Sequence, residues 1–109
     1  MSKPAHPIAK RRVRGSRTGR PIMVLLDLLG RRWALRILWE LRDGALTSRA
    51  LRAACDEASP TVLNERLKEL REASFIELSD AGYALTALGR ELSEKCMPLY
   101  HFAEKWSER

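Results

Sequence analysis

The stretch Ser59-Pro60-Thr61-Val62-Leu63-Asn64-Glu65-Arg66-Leu67-Lys68-Glu69-Leu70 decides the fold. Serine is a favoured N-cap, and proline, with no N–H to satisfy, fits the first helical position. Leu63, Leu67 and Leu70 then recur at i, i+4 and i+7, which is one face of a helix. Thr61, Asn64, Glu65, Lys68 and Glu72 fall on the opposite face, and the helix is expected to end near Ala73-Ser74. Just upstream, Ser48 to Cys55 reads as a short helix capped by Ser48, with Ala50, Leu51 and Ala54 inward and Asp56-Glu57-Ala58 as a turn. Just downstream, Phe75 to Leu78 and Tyr83 to Leu85 flank Ser79-Asp80-Ala81-Gly82, the pattern of a small β-hairpin. A short helix, a tight turn, a capped helix and a hairpin make a winged helix-turn-helix. The expected fold class is therefore mainly α (α+β).

Two further helices flank this unit. Pro21 and Gly30 bracket a first helix whose Ile22, Met23, Leu25, Leu26, Leu28 and Leu29 cover nearly every side. A helix apolar all round is buried all round, which in so small a protein calls for a partner chain. Residues 32–43 read as a second helix, with Ala34, Ile37, Leu38 and Leu41 on one stripe and Leu35 and Trp39 on another. Ala45-Leu46-Thr47 is a short extended link. Thr86 caps a last helix running to about Trp106, on which Leu92, Cys96, Leu99, Ala103 and Trp106 alternate steps of four and three, a coiled-coil-like seam. Pro98 is expected to kink it, since the ring clashes with the preceding turn. Homodimerisation is expected through Ile22, Leu25, Leu26 and Leu29 of the first helix and that seam of the last.

The 109 residues make one domain, and the net charge of +6 is unevenly placed. Residues 1–20 hold Lys3, Lys10, Arg11, Arg12, Arg14, Arg17 and Arg20 with no acid, interrupted by Pro4, Pro7, Gly15 and Gly19, and read as a disordered basic arm. Residues 21–109, the folded domain, hold 13 basic and 14 acidic residues. The longest apolar stretch, Ile22 to Leu29, is eight residues and includes Asp27, whereas a membrane span needs about 20. Cys55 and Cys96 have no metal-ligand spacing and no disulfide framework around them; both lie on apolar faces, and a reducing cytoplasm is the expected compartment. His6 and His101 have no nucleophile or metal partner at meaningful spacing, and no glycine-rich phosphate loop follows a strand. No catalytic residue, metal or cofactor is expected, and the chain does not read as an enzyme. Trp33, Trp39 and Trp106 read as core and dimer-interface residues rather than a ligand cage.

Three blocks resemble the HxlR-type regulators, a branch of the MarR-like winged-helix proteins. Leu26-Asp27-Leu28-Leu29-Gly30-Arg31-Arg32-Trp33-Ala34-Leu35-Arg36-Ile37-Leu38 looks like the "lgGkWtllIL" block of that family. The Ser59–Leu70 stretch is similar to its "isPkvLsqrLkeLe" block, and Leu85-Thr86-Ala87-Leu88-Gly89-Arg90-Glu91-Leu92 to its "LTelGrsL" block. The resemblance covers about residues 21–106 and implies a homodimeric transcription factor whose first and last helices form the dimer interface. Two departures stand out. Family members typically carry a cysteine just before the proline of the first helix; here Arg20 stands there, so a redox switch at that site cannot operate. The family's wing is usually long and basic; here the hairpin holds Glu77 and Asp80 and no basic residue from Phe75 to Leu85.

The functional expectation is sequence-specific binding of double-stranded operator DNA by a bacterial-type regulator, with residues of about 60–73 as the recognition helix in the major groove. Thr61 can touch a thymine methyl, Asn64 can pair with adenine and Glu65 can accept from cytosine, while Lys68, one turn on, suits a phosphate. Glu69 and Glu72 sit where the helix should be leaving the groove. Ser48, Arg49, Arg52 and Ser59 are the expected phosphate contacts around the turn. Arg31 and Arg32 read either as helix-end charges or as backbone clamps, and Arg66 as a lesser candidate for a bracing salt bridge. The alternative is a winged-helix protein-interaction module that has lost specific DNA binding, for which the acidic wing and near-neutral body argue. A small-molecule effector is left open, with the gap between the dimer helices and the DNA-binding part as its expected place.

Overall fold

The computed structural model describes residues 20–109, and all but Arg20 of the basic arm expected at residues 1–20 lies outside them. Five helices and one hairpin follow in the order α1 (Pro21–Leu29), α2 (Ala34–Glu40), α3 (Ser48–Ala54), α4 (Pro60–Glu72), β1 (Ile76–Ser79), β2 (Gly82–Leu85) and α5 (Ala87–Ser107). The winged helix-turn-helix order of the sequence is thus the observed one. No described helix is long and apolar enough to cross a membrane.

The core is built where the heptad-like leucines point. Leu63, Leu67 and Leu70 of α4 are buried against Ile37, Leu38 and Leu41 of the α2 region and Leu51 and Cys55 of the α3 region. Each such leucine contributes about 1.5–3 kcal/mol over its exposed state, so α4 is held by its inner face and leaves its polar face outside. The hairpin is antiparallel, with Ile76 opposite Leu85 and Ser79 opposite Gly82. Those two apolar partners close the core from below, while Glu77, Leu78 and Ser79 stay exposed.

The extended link before α3 joins the hairpin. Leu46 donates to the Tyr83 carbonyl at 2.9 Å and accepts from the Tyr83 N–H at 2.8 Å. Gly82 makes this approach possible: its φ is +116°, and a Cβ there would sit 2.4 Å from the Leu46 carbonyl oxygen. The wing is thereby tied to the segment that leads into the helix-turn-helix.

Several boundaries differ from the sequence reading. The second helix was expected over 32–43 but occupies Ala34–Glu40. Trp33 takes a left-handed conformation (φ +75°), which breaks the chain direction before Ala34, and the Arg42-Asp43-Gly44 turn ends it early. Thr47, not Ser48, caps α3: Thr47 is extended, so its Oγ1 reaches the Ala50 N–H at 3.1 Å, and Ser48 becomes the first helical residue. Ser59 occupies the N-cap position of α4 but makes no side-chain capping bond; Pro60 sets the start. Thr86 caps α5 as expected, accepting from the Gly89 N–H at 2.9 Å. Where a kink was expected, α5 continues as one helix, Ala87–Ser107, with Pro98 inside it on an exposed side.

α5 leans on the body through its middle. Tyr100 packs on Trp39 of α2 with ring centroids 4.6 Å apart, and its hydroxyl approaches the Leu35 carbonyl at 3.5 Å. Arg42 lies over that tryptophan as well, 3.8 Å from the ring centroid. Beyond Tyr100, residues 101–109 are all exposed, so the last two turns project from the body.

Candidate nucleic-acid interface

α4 presents Thr61, Asn64, Glu65 and Lys68 as a fully exposed row, with Ser59 and Pro60 exposed at its start. The spacing that buries three leucines turns these residues outward as a set. Ser48 and Arg49, at the first turn of α3, are exposed as well. Arg52 is also exposed but engaged: its Nε donates to the Ala58 carbonyl at 3.1 Å and lies 3.7 Å from Glu57, closing the turn between α3 and α4. Asp56 and Glu57 in that turn both have positive φ, a conformation rare for non-glycine residues. The α3–α4 geometry is thus held by a guanidinium rather than by glycine.

An ion-pair network fixes the orientation of α4. Arg31 pairs with Asp27 at 2.9 Å and with Glu69; Arg66 pairs with the same Glu69 and donates through Nε to the Arg32 carbonyl at 3.1 Å. Burial works against the Arg31 charge, but the hydrogen bonds and Coulombic pull of Asp27 and Glu69 outweigh it and push its pKa further up. Exposed pairs contribute less than about 1 kcal/mol each, so the main effect of the network is positional. The bracing role raised for Arg66 is the observed one. Glu69 departs from expectation: it is a half-buried bracing residue shared by two arginines, not an acid leaving a groove. Arg31 is a clamp within the protein, and Arg32 stacks on Trp33 with 5.0 Å between its guanidinium and the ring centroid.

Arg71 is a residue the sequence reading passed over. It lines an open cleft of about 470 Å³ between α4 and β1 together with Lys68, Glu72, Ile76, Glu77 and Leu78. The signal was available, since Arg71 lies three residues beyond Lys68 on the same side of the helix. Two cations and two carboxylates meet there, so the cleft has no net charge.

Most of the exposed apolar side chains lie on α1 and α5, away from this polar face. Ile22, Met23 and Leu26 of α1 and Leu99, Phe102 and Trp106 of α5 are exposed, together with Leu78 on the hairpin and Leu88 at the start of α5. Among the residues expected at a dimer interface, Ile22, Leu26, Leu99, Ala103 and Trp106 are exposed, and Leu25 and Cys96 are half-buried. Leu29 and Leu92 are half-buried too, but packed against the chain's own core. Phe102 is the missed member: it lies three residues after Leu99 and four before Trp106, a spacing that completes their stripe.

Three comparisons with known proteins bear on this arrangement. Residues 28–109 match the family model described as HxlR-like helix-turn-helix. The chain belongs to that family. An uncharacterised HTH-type transcriptional regulator of Methanocaldococcus jannaschii, MJ0925, is 28% identical over 90 residues, covering 79% of this chain and 85% of the relative. Another in Synechocystis, sll1512, is 28% identical over 96 residues, covering 82% and 71%. Among solved structures, quinone-bound YodB from B. subtilis superposes with a TM-score of 0.72 at 28% identity, covering 77% of this chain and 96% of YodB. A possible HxlR family transcriptional factor from Thermoplasma volcanium GSS1 superposes with a TM-score of 0.70 at 26% identity, covering 78% and 83%. The HxlR-like fold is therefore established. The curated relatives are transcriptional regulators rather than enzymes, and DNA binding is what the family implies.

The two thiols of this HxlR-like chain are both free, Cys55 fully buried and Cys96 half-buried, and burial pushes both pKa values up. The thiolate is the reactive form, so each thiol is held in its unreactive state at neutral pH. Ellman's reagent is expected to label the native protein more slowly than the guanidinium-unfolded protein at pH 7, and faster as pH rises through the thiol range. Equal native and unfolded rates would contradict this.

Proposed function

We propose that the protein is a homodimeric, cytoplasmic regulator that binds double-stranded operator DNA with the exposed face of α4 in the major groove. One observation carries this reading: the side chains Thr61, Asn64, Glu65 and Lys68 form a polar row on a helix whose inner face and flanks are rigidly held. Rigid placement is what base readout needs, because side chains must meet base edges at hydrogen-bond distance. Thr61, Asn64 and Glu65 read bases, while Lys68, Ser48, Arg49 and Ser59 contact backbone; Arg71 joins them from the α4–β1 cleft. The exposed apolar faces of α1 and α5 support the dimer, which sets two copies of α4 about 34 Å apart on the duplex. The quinone in the YodB structure supports a small-molecule effector for this chain as well.

The test is a mobility-shift titration on duplexes flanking the gene, with nonspecific competitor present. Asn64→Ala is expected to weaken binding to the preferred duplex about tenfold or more, corresponding to about 1–3 kcal/mol for a bidentate base contact, with little effect on scrambled duplex. Equal weakening on both would remove Asn64 from base readout. A second reading, a protein-interaction module without specific DNA binding, draws on Glu65, Glu72, Glu77 and Asp80 along the same face. It predicts no competitor-resistant complex with any duplex.

A further inference from the structure

A cation near a duplex is drawn to phosphate whatever the base sequence, and such contacts carry no base information. A base-reading helix therefore gains discrimination when neighbouring cations that read no bases are kept from the duplex. α1, the turn after it and α4 hold four charges in one chain of contacts: Asp27, Arg31, Glu69 and Arg66, which sum to zero. Glu69 sits in the middle of that chain. Its Oε2 accepts from Arg31, 38 residues away, and its Oε1 accepts from Arg66 on the same helix. Each guanidinium has a further partner: Asp27 for Arg31 at 2.9 Å, and the Arg32 carbonyl for Arg66 at 3.1 Å. The Glu69 and Arg66 side chains are 19% and 17% exposed, and partly buried pairs are little screened by salt.

Arg66 directly follows Glu65, and Glu69 directly follows Lys68, both members of the exposed row of α4. The cancelled charges thus border the face that carries the base-reading side chains. We propose that Glu69 is a specificity-determining residue, which withholds Arg31 and Arg66 from phosphates and so leaves the choice of duplex to Thr61, Asn64 and Glu65. This rests on the reading of the protein as a DNA-binding regulator. Glutamine in place of Glu69 keeps the shape and can still accept a hydrogen bond, but it leaves the four residues with one net positive charge per chain. On a scrambled duplex the protein is free to settle where that charge meets a phosphate. On the preferred duplex α4 is held by its base contacts, and its orientation loses the brace that Glu69 provides. The scrambled duplex gains and the preferred one does not.

The experiment compares the full chain with Glu69→Gln, with Glu69→Gln combined with Arg31→Gln, and with Glu94→Gln, whose charge change is the same but lies on an exposed position of α5. Each protein is titrated onto the preferred duplex and a scrambled one across a roughly fourfold range of salt. For Glu69→Gln, affinity for the scrambled duplex should rise about tenfold at low salt. The slope of log K against log salt should steepen by about 2, at roughly 0.9 per phosphate with one new contact from each copy of a dimer. The preference for the preferred duplex should fall about tenfold with it. Adding Arg31→Gln makes the group neutral again and should return the scrambled-duplex affinity and slope to those of the unaltered chain, while Glu94→Gln should change neither. Equal losses on both duplexes, as a smaller folded fraction would give, make Glu69 merely structural and overturn the proposal. An unchanged scrambled-duplex affinity, or a rise matched by Glu94→Gln, overturns it too, and the regulator reading stands as long as the unaltered chain keeps a competitor-resistant complex. If the unaltered chain forms no such complex, the regulator reading itself fails and the proposal with it.

Discussion

Gly89→Ala is expected to cost about 3 kcal/mol of stability, the upper range for forcing one extra carbon into a packed site. In an exposed helix interior the same change would stabilise by about 1 kcal/mol, because alanine is the better helix former. The sign reverses here because the Phe75 carbonyl is seated on Gly89. A Cβ at that position would lie 1.9 Å from the carbonyl oxygen, and the obstacle is backbone, not a movable side-chain tip. That carbonyl also accepts from the Thr86 N–H at 3.1 Å, while Thr86 Oγ1 donates to the Ser74 carbonyl at 2.6 Å and accepts from the Gly89 N–H. One methyl group must therefore push apart the start of α5, its cap and the strand entry together. Urea unfolding followed by circular dichroism measures the effect. With a slope of about 1–3 kcal/mol per molar urea, the midpoint should drop by about 1 M or more. A midpoint that rises would show that the close approach of Phe75 is not a constraint on this protein.

The double substitution Leu99→Glu, Phe102→Glu is expected to leave a folded monomer that binds operator DNA far more weakly. The two side chains are 58% and 60% exposed in the single chain, so neither supports its fold. Together with Trp106, 69% exposed, they form a stripe along the C-terminal part of α5. Contiguous exposed apolar surface of this kind marks an interface, and two carboxylates placed in it would be desolvated without partners. Sedimentation should report twice the chain mass for the unaltered protein and a single chain for the variant, with similar helical content. Operator affinity should fall by about 100-fold or more, since linked half-site binding contributes on that order. A variant that remains a dimer would move the interface elsewhere; an unaltered protein that sediments as a monomer would sink the dimer reading.

The sequence made periodic features legible and left distant pairings dark. The inner leucines of α4, the Pro60 start, the hairpin and the Thr86 cap all depend on residues within a turn or two of one another, and each was readable. The left-handed Trp33 was not, because tryptophan carries no preference for that conformation; packing imposes it and shortens α2. The choice between Thr47 and Ser48 as cap turned on one residue's backbone angles, with two adjacent hydroxyls equally suited in sequence. Glu69 was misread because its partner Arg31 is 38 residues away, and no local spacing announces such a pair. Phe102 was missed for another reason: a strict four-three seam passes it by, whereas the exposed stripe includes it. Of the candidate DNA contacts, Thr61, Asn64, Glu65 and Lys68 share one exposed face as their spacing implied, and Arg52 is tied to the turn by bonds that only the folded chain brings together.

The network running from Asp27 through Arg31 and Glu69 to Arg66 has a consequence for how spacing on DNA is measured. It fastens α4 to the end of α1 and to the turn that follows it. The wing, in contrast, meets α4 mainly through apolar packing at β1. In a dimer joined through α1 and α5, the two copies of α4 then behave like the points of a caliper whose pivot is the interface. A small rotation of one α1 against its twin changes the gap between the points without deforming either domain. The distance between operator half-sites becomes a reading of how the two copies of α1 meet, and any molecule that wedges between them would reset the caliper.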